Sequence, residues 1–66
     1  MQVSVNGETR TLDEGTTVAD LLAHLGITGR RYAVEVDREI VPKAEHAVTR
    51  LTEGSKIEIV TFVGGG

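Results

Sequence analysis

One stretch of this sequence has a helical period, and it dictates what the remainder must do. Val18, Leu21, Leu22 and Leu25 recur at i, i+3, i+4 and i+7, which makes a single apolar stripe. Thr16 or Thr17 stands where a cap belongs. Asp20, three residues beyond Thr17, favours both the cap and the helix dipole. Gly26 ends the run as a glycine at the C-terminal stop position does. A helix of about two turns does not persist alone in water, so its stripe has to pack on something.

The rest of the chain offers a sheet. Gln2 to Asn6 alternates polar and apolar, with Val3 and Val5 on one face. Asn6-Gly7 suits the positive φ angles of a two-residue hairpin turn, and Glu8 to Leu12 reads as the returning strand. Asp13-Glu14-Gly15 forms a turn into the helix. After Gly26, Tyr32 to Val36 alternates again, with Tyr32, Val34 and Val36 sharing a face. Asp37-Arg38-Glu39 turns the chain, and Ile40-Val41 gives a short strand ended by Pro42. Pro42 to Ala47 reads as irregular or a single helical turn. Val48 to Leu51 reads as another short strand, Glu53-Gly54 as a turn, and Lys56 to Val63 as the last strand. A hairpin, one crossing helix and further strands indicate an α+β roll with the helix on one face. By analogy the last strand returns beside the first, as in the β-grasp (ubiquitin-like) architecture, with a mixed sheet of four to five strands. The expected organisation is one domain over residues 1–63 followed by a glycine tail, 64–66.

Composition removes several functions. The chain has 66 residues, which suits one core and leaves no room for an internal active-site cavity. It has no cysteine, hence no disulfide, thiol nucleophile or cysteine-ligated metal. Seven Lys and Arg against ten Asp and Glu give a formal charge of −3, and there is one Phe and one Tyr. That is neither the basic stripe nor the stacking platform that nucleic acid requires. No apolar run reaches the roughly 20 residues of a membrane span. The opening Met1-Gln2-Val3-Ser4-Val5 lacks a signal peptide's pattern, so a cytoplasmic location is expected.

His24 and His46 lack partners at ligand spacing and read as surface or capping residues; no metal is expected. Arg30-Arg31 reads as a solvated loop pair, and Glu35, Asp37 and Glu39 as a solvated face. The last strand is more informative. Ile57 and Ile59 share a face with Thr61 and Val63, whereas Val60 and Phe62 point the other way. If Ile57 and Ile59 meet the helix, Val60 and Phe62 either lie open as a docking patch or are covered by loops. An aromatic anchor beside a flexible tail suits a contact that needs both orientation and release.

The tail Gly64-Gly65-Gly66 follows that strand directly. Such an end can simply fray. Alternatively, it removes every Cβ from roughly 10 Å of extended chain, so that the carboxylate of Gly66 can thread a narrow channel. A carboxylate is a poor acylating agent until its oxygen is converted to a better leaving group, as adenylation by ATP does.

The whole chain resembles the thiamin-biosynthesis sulfur carrier family, small bacterial β-grasp proteins that end in Gly-Gly. The residues that carry the likeness are Val3-Ser4-Val5-Asn6-Gly7, Thr17-Val18-Ala19-Asp20-Leu21-Leu22 and the Val34-to-Lys43 segment with its Ile40-Val41-Pro42-Lys43 end. The closing Gly54-Ser55-Lys56-Ile57-Glu58-Ile59-Val60 run before the glycines completes it. The resemblance implies a carrier that is not itself an enzyme and binds no cofactor. An E1-like adenylating enzyme would activate the Gly66 carboxylate with Mg-ATP, and a cysteine desulfurase system would supply sulfur. Thiazole synthase would receive it from the thiocarboxylate. Gly65 and Gly66 match the family's functional glycines, and Gly64 is additional; Phe62, Val60 and Val63 are the candidate partner interface. The small subunit of molybdopterin synthase shares fold and tail but is typically longer, with a proline before its glycines that Ile59-Val60-Thr61-Phe62-Val63 lacks. Sulfur carriers of cysteine synthesis also tend to be longer. A ubiquitin-like modifier or a non-covalent interaction module is the alternative of a different class.

Overall fold

The computed structural model describes residues 1–29 and 31–62. Arg30, Val63, Gly64, Gly65 and Gly66 lie outside the described residues, so the expectations placed on them are not addressed by the fold. The elements run β1 (Gln2–Val5), β2 (Glu8–Thr11), α1 (Val18–Leu25), β3 (Tyr32–Val36), β4 (Glu39–Ile40), a 3-10 turn (Lys43–Glu45) and β5 (Lys56–Thr61).

The sheet has five strands in the order β2-β1-β5-β3-β4. β1 is antiparallel to β2 and parallel to β5, and β3 is antiparallel to both β5 and β4. The last strand therefore sits at the centre beside the first, which is the β-grasp arrangement. Asn6 and Gly7 both take positive φ, 50° and 85°, as the two-residue hairpin requires. Asp37 and Arg38 repeat the device between β3 and β4 with φ of 50° and 72°. The non-glycine side chain of Arg38 makes that turn the more strained of the two.

The helix forms where its period places it. Thr17 Oγ1 accepts the Asp20 N–H at 3.1 Å, and Asp20 Oδ2 accepts the Thr17 N–H at 3.0 Å, a reciprocal cap. The Thr17 backbone N–H, and after it the Thr17 hydroxyl, holds the Asp20 carboxyl below its ordinary pKa. Gly26 closes the other end at φ 75°. Val18, Leu21 and Leu22 then pack against Val3, Val5, Val34, Ile57 and Ile59, with Leu51 completing the core.

Two expectations need correction. Val48 to Leu51 is not a strand: Arg50 makes one isolated bridge to Thr17, and Val48 is 75% exposed. The Leu51 N–H goes to the Thr16 carbonyl, and the Thr49 N–H to the carbonyl of Glu45. Loop contacts meet these backbone groups, so no ladder is needed. His46 is not a surface residue either. It is 6% exposed, and its Nε2–H donates to the Val41 carbonyl at 2.9 Å. His24, in the last helical turn, is exposed as expected.

Candidate functional site

β5 separates two environments by simple alternation. Ile57 and Ile59 face the helix and are buried, whereas Val60 is 50% and Phe62 55% exposed on the opposite side. The open face thus carries both apolar residues that the sequence placed there, and loops do not cover them.

Neighbouring strands extend this face. Val60 lies across from half-buried Ala33, and Glu58 lies directly across from Glu35. Glu35 in turn opposes exposed Ile40 on β4. Like charges directly opposite one another destabilise a sheet, so Glu35 and Glu58 cost the fold a little. Among the described residues neither has an ion-pair partner. The face is apolar toward the end of β5 and acidic behind it.

The end of β5 is held from both sides. The Phe62 N–H donates to the Arg31 carbonyl at 2.7 Å, which carries pairing one residue beyond the strand. On the β1 side, Asn6 Oδ1 accepts the Ile59 N–H at 2.7 Å, and Asn6 Nδ2 donates to the Ile59 carbonyl at 3.2 Å. The asparagine side chain thereby substitutes for a further strand residue. In the sequence Asn6 announces only a turn, so this second role was missed; an amide at the end of a strand next to a parallel partner is the available signal.

A small stack steadies the segment that supplies Arg31. Lys43 Nζ sits 4.5 Å from the centre of the Tyr32 ring and donates to the Gly29 carbonyl at 3.3 Å. Tyr32 stacks on His46 with ring centres 6.0 Å apart. His46, through Val41, ties the 3-10 turn to this stack. These three residues are 11 to 14 positions apart or adjacent only through the turn, which is why no spacing rule joined them.

The described residues hold no group of three or more His, Cys, Asp or Glu able to bind a metal. No described helix is long and apolar enough to cross a membrane. Among the described residues of the open face, none forms an acid–base pair or a nucleophile with its base. What the face provides is an apolar, solvent-exposed surface at the C-terminal end of β5.

The fold and this surface define a β-grasp protein without catalytic machinery among its described residues. The model of the ThiS family matches residues 3–66, and the chain belongs to that family, whose members are small sulfur carriers and not catalysts. Among similar proteins, the sulfur carrier protein ThiS of Bacillus subtilis is 40% identical over 50 residues, 76% of each chain. A thiazole synthase of Paramagnetospirillum magneticum is 46% identical over all 66 residues, but the chain spans 20% of that protein's length. The crystal structure of the thiamine biosynthesis protein ThiS from Geobacter metallireducens superposes with a TM-score of 0.83 at 30% identity, covering 100% of both chains.

Proposed function

We propose that this chain is a sulfur carrier of thiamin biosynthesis that works through a thiocarboxylate on Gly66. The observation that carries the reading is the family match together with the position of the glycines. They follow a central strand that is clamped on both sides as far as Ile59 and Phe62. A rigid root and a side-chain-free end suit delivery of one carboxyl group into another protein's active site.

In this reading an E1-like enzyme joins the Gly66 carboxylate to AMP, with pyrophosphate leaving from Mg-ATP. Persulfide sulfur from a cysteine desulfurase system then displaces AMP, and a thiol reductant cleaves the resulting acyl disulfide to leave the thiocarboxylate. Thiazole synthase accepts sulfur from the resulting thiocarboxylate. Gly64 and Gly65 give reach, and Phe62, Val60 and Val63 seat the carrier on its partners. The likeness of the full chain to a stretch of a thiazole synthase supports that enzyme as the acceptor.

Intact-mass measurement tests the chemistry. After incubation with ATP, an adenylating enzyme and a sulfur donor, the mass should rise by the difference between sulfur and oxygen, confined to the C-terminal fragment. A variant with one alanine added after Gly66 should fold and gain nothing. Sulfur gain in that variant would overturn the reading.

A further inference from the structure

β1 and β5 run side by side only as far as Val5. Asn6 then covers Ile59 with its side chain, and β5 continues past it. Backbone N–H and C=O groups alternate sides along a strand. Phe62 bonds toward β3, through Arg31, while Ile59 bonds toward Asn6. The N–H and C=O of Thr61 therefore point to the side of Ile59, beyond the end of β1. No described residue takes them up. Among the described residues, a short hydrogen-bonding edge is left open in what is otherwise the centre of the sheet.

A groove of about 360 Å³ runs beside this edge, on the helix side and away from Phe62. Val5, Leu25, Ile27 and Ile59 give it an apolar lining, and Asn6, Thr61 and Arg10 a polar one. Arg10 Nε is buried there without a hydrogen-bond partner. Among the described residues no carboxylate pairs with Arg10, although Glu8 stands two positions away on the same strand face and also lines the groove. Buried polar groups in folded proteins are almost always satisfied, so the unpaired Nε leaves Arg10, which lines the groove, short of an acceptor.

We propose that this groove binds an extended segment of a partner polypeptide that carries a glutamate or aspartate. The segment's backbone pairs with Thr61, adding a strand at the open edge. Its carboxylate accepts from the Arg10 guanidinium, whose planar fork fits that group. Adjacent apolar side chains rest on Leu25 and Ile27. The open backbone edge calls for a polypeptide, and Glu8 disfavours a more highly charged phosphate. This surface is separate from the Phe62 face and does not depend on the chemistry at Gly66.

The test is an amide chemical-shift titration of the full chain with a capped pentapeptide, Thr-Val-Glu-Val-Thr, and with its glutamine counterpart. Saturable shifts should appear at Thr61, Ile59 and the Asn6 side-chain amide. The glutamine peptide should bind about tenfold more weakly, as loss of one charge-assisted hydrogen bond implies. Arg10→Gln should weaken the glutamate peptide by the same factor, with a dispersed spectrum showing that it folds. Absence of shifts at Thr61, or equal binding of the two peptides to the unmodified chain, would overturn the proposal.

Discussion

Ile57 and Ile59 on one side of β5, and Val60 and Phe62 on the other, are similar in hydrophobicity and opposite in fate. The first pair is sealed under the helix; the second meets solvent. Burying a large aliphatic or aromatic side chain is worth roughly 1.5–3 kcal/mol, so a small domain that leaves two of them out forgoes stability it could use. The helix face holds the fold together, and the open face leaves apolar area in solvent, as the proposed docking role requires. Glu35 and Glu58, opposed on that same open face, fit this division.

The contrast can be tested face by face. Leu21→Ala should have the largest effect, lowering unfolding free energy by roughly 2–5 kcal/mol because Leu21 is fully enclosed. Urea unfolding reads this, and affinity of the folded fraction for a partner should not change. Phe62→Ala should do the reverse. Binding to the proposed adenylating partner should weaken by about tenfold or more, with stability altered by less than about 0.5 kcal/mol. Comparable losses in both would place Phe62 in the core and dissolve the contrast.

Thr17→Ala should remove the helix cap and cost about 1 kcal/mol, without touching the open face. The paired Asp20 has a lowered pKa, so its contribution is complete above the ordinary aspartate value of 3.8. It is lost as pH falls through the lower folded-state pKa. The stability gap between the parent and Asp20→Asn should accordingly close on the acid side of 3.8, as followed by thermal melts across pH. Smallest of all, Glu58→Gln should raise stability by roughly 0.2–0.5 kcal/mol by relieving its opposition to Glu35, less so in salt.

Most of the fold was legible in the sequence because two periods dominate it. The spacing of Val18, Leu21, Leu22 and Leu25 places one helix, and alternation in β1, β3 and β5 settles which residues face it. That alternation also put Val60 and Phe62 on the opposite face, and left open whether loops cover them there. The segment from Val41 to Leu51 was harder, since its order comes from individual bonds between residues distant in sequence. Val48 to Leu51 has strand-like composition, yet only Leu51 is buried, so it lacks the ladder its residues suggest. His46 looked like a polar surface residue because nothing local reveals the Val41 carbonyl waiting for its ring nitrogen. Asn6 is legible as a turn residue and illegible as a substitute strand, because the second role exists only once β5 has arrived beside it.

The central position of β5 has a mechanical consequence. A load applied along β5 would fall on a strand bonded to β1 on one side and β3 on the other. Such a load falls on many hydrogen bonds at once, in shear, where an edge strand would peel away one bond at a time. A pull along β5 would therefore be shared among its bonds to β1 and β3.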